Sequence, residues 1–355
     1  MRILVYLLAY LALLNYFSFA VNDTAPVGDS ESIHSSPDLS ACNGYKELCK
    51  RSYDKISTAV THNSFALTPN PAGNQNVPIE KQLQDGIRGL MLDLHVSTKS
   101  SEALRLCHGD CKLLDAGAVS DTLTVIKTFL DKNPFEVVTL FIENFAHIKG
   151  DMIARTFETS GLVNMTRVQK PQEPWPTLEE MIKNNTRLVV FINEDITHDK
   201  YPWLLYEYDF LWETPFSVPV NSSFNCDVDR PKDTTSAMYL INHFVFGQLN
   251  IGESGFEIPA ASHAPLTNGD QLQNHVKECR EERNQTANFV AVDFYEVGDI
   301  FRVVAELNEV KYIPVVDDLH SQSTEHSGGT HVDEIEMMRV LWHIGCMAYA
   351  IFINI

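Results

Sequence analysis

Short apolar runs that end in a single polar residue recur along the chain and limit the folds that it can adopt. The run Leu188–Ile192 is apolar throughout, as a parallel sheet covered on both faces requires of its strands. Stretches with helical spacing of apolar residues, such as Val125, Phe129 and Leu130, separate these runs. The predicted strands are 56–61, 88–93, 103–107, 137–143, 187–193, 208–212, 237–243 and 288–294, and the predicted helices are 79–85, 119–132, 151–160, 177–184, 268–281 and 297–308.

This alternation predicts a single α/β domain over residues 42–325, a (β/α)8 barrel of the TIM type. A doubly wound open sheet is the alternative, but no glycine-rich phosphate loop follows the first strand. The segments 212–236 and 247–267 hold Pro, Gly, Asn and Ser without clear periodicity. We expect both to be loop-like insertions near the mouth of the barrel.

Five of the apolar runs end in a residue suited to acid–base chemistry or metal binding: His62, Asp93, His108, Glu143 and Asp293. In a barrel, the carboxyl ends of the strands share one face, so these side chains should converge there. Two histidines with carboxylates at hand suit proton transfer to and from a phosphodiester. Asp293 is a candidate to fix the tautomer of one imidazole.

Asn63, Asp93 and Glu143 form a set of oxygen ligands of the kind that Ca²⁺ prefers. The alternative is that each of these polar groups is buried and satisfied within the barrel mouth. A net charge of -20 argues against nucleic acid or an anionic lipid surface as an electrostatic partner. A substrate that carries a phosphate therefore needs local positive charge, from a few Lys and Arg or from a metal ion.

The N-terminus resembles a secretory signal peptide over residues 1–20, with an uncleaved membrane anchor as the alternative. A lead-in rich in Ser, Asp and Pro follows at 21–41. Residues 326–355 combine small residues, a polar spacer and an apolar tail, which predicts a GPI-anchor attachment signal. A last barrel helix or a short tail anchor are the other interpretations. Five glycosylation sequons fit a secreted or surface-anchored glycoprotein, and they begin at Asn22, Asn164, Asn184, Asn221 and Asn284.

Seven cysteines leave one unpaired in an oxidising compartment, and Cys346 lies in the apolar tail. Among the fifteen pairings open to the other six, we favour Cys42–Cys49, Cys107–Cys111 and Cys226–Cys279. A zinc site around His108 is the alternative for the Cys107–Cys111 pair, although no second pair of ligands follows.

Five sequence blocks in order resemble the phosphatidylinositol-specific phospholipase C X-domain family, in particular its secreted single-domain branch in plants and fungi. The blocks lie at 54–64, 86–93, 106–108, 136–144 and 289–295.

The resemblance implies a distorted TIM barrel that cleaves the glycerol-side P–O bond of a phosphoinositide at a membrane surface. It implies that His62 is the general base, that His108 is the general acid, and that Asp293 pairs with His62. Asn63, Asp93 and Glu143 stand where calcium-dependent members place metal ligands.

Two departures from the family pattern bear on the calcium site. Met91 stands where the eukaryotic members carry another acidic ligand, so we expect calcium to bind weakly. Bacterial members carry an arginine where this chain has Asp93.

The sequence therefore predicts a monomeric phosphodiesterase. Two other interpretations stay open. One is an inactive barrel that binds a glycan or an inositol phosphate, and the other is an enzyme for soluble glycerophosphodiesters or glycosylated inositol lipids.

Overall fold

The computed structural model describes residues 41–97, 103–194, 200–232, 236–251 and 254–314. The predicted signal peptide, nearly all of the lead-in, Asn22, Cys346 and the predicted anchor signal at 326–355 lie outside these residues. They stay predictions. The described residues all belong to one compact unit.

Eight parallel strands form a curled sheet, the incomplete barrel on which the site is built. The strands of the described residues are β1 Thr58–Thr61, β2 Gly89–Val96, β3 Leu104–His108, β4 Leu114–Ala118, β5 Val138–Glu143, β6 Leu188–Ile192, β7 Leu204–Tyr206, β8 Leu211–Glu213, β9 Met238–His243, β10 Phe246–Ile251, β11 Ser254–Pro259 and β12 Phe289–Val292. The parallel strands follow the order β7-β6-β5-β2-β1-β12-β9-β8. The prediction of a distorted barrel in a single α/β domain is confirmed.

Helices connect most of the parallel strands. The α-helices of the described residues are α1 Ile79–Asp85, α2 Val119–Lys132, α3 Gly150–Ser160, α4 Leu178–Lys183, α5 Ala264–Leu266, α6 Leu272–Arg283 and α7 Ile300–Leu307, and a π-turn at Thr267–Gln271 joins α5 to α6. The bounds of α1 and α2 are those predicted from the sequence. No helix in the described ranges is both long enough and apolar enough to cross a bilayer.

Alternate residues of the parallel strands pack into two different cores. Leu90, Leu92 and Leu140 join the core that contains the buried residues of the helices. Met91 and Phe141 join a second core with apolar side chains of other strands. Because side chains alternate along a strand, Asp93 lies on the same face of β2 as Met91.

The third predicted strand, 103–107, is not part of the parallel sheet. It forms β3, which pairs antiparallel with the last residues of β2, and β4 pairs antiparallel with β3 in turn. Only residues 97–103 separate β2 from β3, which is too short a connection for a parallel crossover. The short strand β7, which the sequence did not predict, completes the set of eight parallel strands.

The prediction of a loop at 247–267 is wrong for most of that segment. Strands β10 and β11 pair antiparallel there over their full length, from Phe246 opposite Pro259 to Ile251 opposite Ser254.

The three predicted disulfides are confirmed: Cys42–Cys49, Cys107–Cys111 and Cys226–Cys279. The zinc alternative at Cys107 and Cys111 is therefore wrong.

The sequon asparagines within the described ranges are all exposed to solvent, as a glycan requires: Asn164, Asn184, Asn221 and Asn284. Their glycosylation stays a prediction.

Candidate active site

A cavity of about 430 Å³ opens where the parallel strands end. All six residues singled out from the sequence line it: His62, Asn63, Asp93, His108, Glu143 and Asp293. The strand order explains this convergence, because β1 lies between β2 and β12, and β5 lies beside β2. His108 does not follow a parallel strand. It is the last residue of β3, which pairs antiparallel with β2.

His62 and Asp293 form a hydrogen-bonded pair, with the imidazole Nδ1 2.9 Å from the carboxylate Oδ1. Each residue directly follows a strand, and Thr61 and Val292 are neighbours in the β1–β12 register. Asn74 donates to the same Asp293 oxygen over 3.0 Å. The ring of Phe244 stacks on the imidazole with 3.7 Å between centroids. These contacts hold one face and one edge of His62, and they leave Nε2 on the opposite edge of the ring.

His108 donates from Nδ1 to the backbone oxygen of Ala72 over 2.7 Å. That bond selects the tautomer whose Nε2 is free to exchange protons. Burial lowers the pKa of His108, with the Ala72 bond acting in the opposite direction. The protonated form of His108 is therefore a stronger acid than an ordinary imidazolium, which suits proton donation to a leaving oxygen.

Asp93 and Glu143 are register partners on the adjacent strands β2 and β5, so two carboxylates stand side by side. Burial raises the pKa of Asp93 well above its usual range, and the neighbouring Glu143 raises it further. Burial also raises the pKa of Glu143, while Arg230 lowers it. The positive charge nearby therefore does not balance the two carboxylates, and the imbalance is greatest at Asp93.

The side-chain amide of Asn63 lies between Asp93 and His62. Two arrangements satisfy this geometry. In one, the amide nitrogen donates to both Asp93 oxygens over 3.1 and 3.2 Å, and its oxygen accepts from Nε2 of His62. In the other, the amide oxygen faces the Asp93 carboxylate, and this contact would be satisfied by a cation bound between the two. The second arrangement fits Ca²⁺, since every donor in the set is a carboxylate or amide oxygen.

Met91 weakens the ligand set. It lines the cavity two residues before Asp93 on the same strand and is almost fully buried. A thioether is a poor ligand for a hard cation.

Arg230 is the main residue that sequence reasoning missed. Its Nη2 donates to Glu143 over 3.1 Å and to Glu213 over 2.8 Å. Its guanidinium lies over the ring of Phe216, 4.3 Å from the centroid. It comes from the segment 212–236, which carries no periodic pattern that could point to it. The site thus holds an arginine, although not at the position of Asp93, where the family resemblance led us to look for one.

Two further amides that the sequence did not single out brace the His62 pair. Gln75 donates to the backbone oxygens of His62 and Val292, over 2.8 and 3.1 Å. Asn268 donates to the backbone oxygen of Asp293 over 2.7 Å. Neither residue ends an apolar run, which was the signal that identified the others.

The family model PI-PLC X matches residues 48–308. An uncharacterized secreted protein of Arthroderma benhamiae is 34% identical over 289 residues, which cover 76% of this chain and 64% of that protein. The chain thus spans less than two thirds of that relative. PI-PLC X domain-containing protein 1 of the same fungus is 33% identical over 277 residues, which cover 75% of this chain and 89% of that protein.

Among solved structures, the F249X mutant of phosphatidylinositol-specific phospholipase C from Staphylococcus aureus superimposes with a TM-score of 0.51 at 13% identity. The superposition covers 74% of this chain and 95% of that one. At this identity the likeness concerns the fold.

Proposed function

The chain belongs to the phosphatidylinositol-specific phospholipase C X-domain family, and on that premise we propose that it is a phosphodiesterase of the phospholipase C type. The observation that carries this proposal is the pair of histidines that line one cavity with different fixed partners. Asp293 holds His62 through Nδ1, and the Ala72 carbonyl holds His108 through Nδ1. Each therefore has its Nε2 on the edge of the ring away from that partner, and Nε2 of His62 lies 3.2 Å from the side-chain amide of Asn63.

In the proposed reaction, Nε2 of His62 accepts the proton of the inositol 2-hydroxyl as that oxygen attacks phosphorus. Asp293 stabilises the imidazolium that forms. His108 donates a proton to the glycerol oxygen as the P–O bond breaks, which releases diacylglycerol and a cyclic phosphodiester. With the roles of the two histidines reversed, water then opens the cyclic product.

Asn63, Asp93 and Glu143 would hold a calcium ion in this proposal. When bound, calcium supplies positive charge beside the phosphodiester. Arg230 orients Glu143 and offsets part of the local negative charge. With Met91 in place of a carboxylate, we expect the weak affinity of extracellular sites, about 10⁻⁴–10⁻³ M.

Apolar side chains at the mouth of the cavity support a lipid substrate. Phe145 and Phe216 both line the cavity, and both rings are exposed. Exposed aromatic side chains beside a site mark a surface that contacts a partner or a lipid. We therefore propose that the enzyme works on a lipid phosphodiester at a membrane surface. Its secretion and its anchoring by the C-terminal tail are proposed from the sequence alone.

A second candidate function is a barrel that binds an inositol phosphate or a glycan without cleaving it. The observation that favours it is the incomplete set of metal ligands. Met91 lies in the cavity wall, and Glu143 is already paired with Arg230. Binding without turnover would separate this candidate from the first.

The test uses the secreted protein purified from a eukaryotic host. Phosphatidylinositol, its ring-phosphorylated forms, glycosylated inositol lipids and glycerophosphodiesters are each assayed with calcium and with chelator. His62→Ala and His108→Ala serve as matched variants. Release of diacylglycerol that both variants lose supports the proposal. Binding of a head group in calorimetry without cleavage of any substrate would favour the second candidate.

A further inference from the structure

Two buried histidines outside the cavity form a pair of their own. His243 ends β9, His275 lies on α6, and their Nδ1 atoms are 2.9 Å apart. The ring of Phe224 stacks on both imidazoles, at 4.0 and 5.0 Å between centroids. Both histidines are buried. His275 also lies close to Cys226 and Cys279, but those sulfurs form a disulfide and are not free to bind a metal.

The histidine pair has three contacts that each require a proton. Besides the Nδ1–Nδ1 contact, Nε2 of His243 lies 2.8 Å from the Thr267 oxygen. Nε2 of His275 lies 3.1 Å from the Asn225 oxygen.

Burial lowers the pKa of both imidazoles, and that of His243 falls to about 3. Glu278 and the Asn225 carbonyl act in the opposite direction on His275, with a smaller effect than burial. Two neutral rings carry two N–H groups, so two of the three contacts are hydrogen bonds.

With the two N–H groups placed on the two shorter contacts, the pair forms a directed chain. His275 donates from Nδ1 to Nδ1 of His243, which leaves the His243 proton on Nε2, facing the Thr267 oxygen. The Thr267 acceptor and the His275 donor thereby select the same tautomer of His243. Without the donor on His275, Nδ1 of His243 is a buried acceptor that has lost its partner, and of its two hydrogen bonds the imidazole keeps the one to Thr267.

Thr267 and His243, two members of this chain, each precede a residue that contacts the His62–Asp293 pair. Thr267 precedes Asn268, whose side chain donates to the backbone oxygens of Asp293 and Phe294 over 2.7 and 3.2 Å. His243 precedes Phe244, whose ring stacks on His62. The histidine pair therefore holds the neighbours of Asn268 and Phe244 in place. Asn268 donates to the backbone of Asp293, and the ring of Phe244 stacks on His62.

We propose that His275 is a positioning residue for the reaction described above. It acts through the hydrogen bond that holds the His243 imidazole in place and so fixes the position of Asp293 and Phe244 around His62. The kinetic part of this inference rests on the proposed function. The structural part does not, because the hydrogen bond between His62 and Asp293 is observable without any substrate.

The test compares His275→Leu with His275→Asn in the full secreted chain. Leucine fills the site without a donor. The Asn amide nitrogen takes nearly the place of Nδ1 and restores the donor. Phe224→Leu is the packing control, because it removes the stacked ring and leaves every hydrogen bond of the pair.

Proton NMR in the absence of substrate gives the first measurement, through the downfield signal of the His62 Nδ1–H that bonds to Asp293. We expect His275→Leu to shift or broaden that signal, and His275→Asn and Phe224→Leu to keep it. In the cleavage assay, we expect His275→Leu to lower kcat by about 10–100-fold with little change in KM. His275→Asn should recover most of that loss.

A wild-type signal in His275→Leu would overturn the inference, as would a His275→Asn variant that behaves like His275→Leu. If His275→Leu does not fold, Asn268→Ala breaks the last link instead, and an unchanged signal there would equally overturn it. An altered signal in a protein that cleaves no substrate would sustain the positioning role and count against the proposed function alone.

Discussion

Replacing Arg230 with methionine should destabilise the protein strongly, because it leaves two buried carboxylates without their cation. In the ion pairs of Arg230, the side chain of Glu213 is 1% exposed, that of Glu143 is 17% exposed, and that of Arg230 itself is 19% exposed. Removing one partner of a buried ion pair costs about 3–5 kcal/mol. The nearby Glu207 is also buried, and its pKa is raised well above the usual range by burial and by Glu213. We therefore expect a loss near the upper end of that range.

The assay is denaturant unfolding of the wild type and Arg230→Met in chelator at neutral pH. Arg230→Lys keeps the positive charge but not the planar guanidinium whose Nη2 contacts both carboxylates, so it should lose less than Arg230→Met. The double variant Arg230→Met, Glu213→Gln removes one of the stranded charges and should recover part of the loss. The loss should also shrink in acid, because Arg230 holds down the pKa of Glu143 and its removal lets that carboxyl take up a proton more readily.

The same unfolding experiment is then repeated with calcium in place of the chelator. In Arg230→Met, Glu143 is free to face a metal ion, so millimolar calcium should stabilise the variant more than the wild type. A loss below about 1 kcal/mol in chelator, the value typical of exposed pairs, would refute the reasoning that Arg230 is the buried counter-ion of this site.

Three other outcomes are expected. His62→Ala and His108→Ala should each lower kcat by about 10²–10⁴-fold with unchanged far-UV spectra, and near-normal turnover in either variant would contradict their roles. Met91→Glu should lower the calcium concentration for half-maximal activity, and full activity of the wild type in chelator would show that no metal is needed. Because burial lowers the pKa of His243 to about 3, its contribution to stability is present above about pH 6.5 and is lost toward pH 3, by about 1.4 kcal/mol per unit. His243→Asn should lack that part of the acid destabilisation in unfolding experiments across this range, and parallel curves would contradict it.

The ends of the parallel strands could be predicted from the sequence because two simple patterns coincide at them. Buried parallel strands read as apolar runs, and polar side chains that follow them must lie at the barrel mouth. The helix α2 was equally visible, since its apolar spacing is bounded by Asn133 and Pro134. The pairs Cys42–Cys49 and Cys107–Cys111 follow from closeness along the chain, and they leave only one partner for Cys226.

The misses have other physical causes: β7 and Arg230 depend on contacts between distant parts of the chain, whereas the β10–β11 hairpin is local but lacks a visible pattern. Strand β7 has three residues and takes its pairing from β6. The β10–β11 segment shows no clear alternation. Arg230 reaches Glu143 from 87 positions along the chain, and no local property of the sequence encodes that approach. The resemblance to the family also gave no signal, because Arg230 lies outside the five matching blocks.

The positions of Arg230 and Asn63 indicate how the charges of the site divide. Arg230 neutralises Glu143 and Glu213 from the side of β8, whereas Asp93 faces Asn63. Asp93 is therefore the carboxylate whose negative charge is balanced least. Burial and the neighbouring Glu143 both raise its pKa. A calcium ion bound there would complement the arginine and would not replace it. The amide of Asn63 would then turn its oxygen to the metal and its nitrogen to His62. Because one amide would serve both groups, metal binding and the hydrogen bonding of the proposed general base would be coupled at a single side chain.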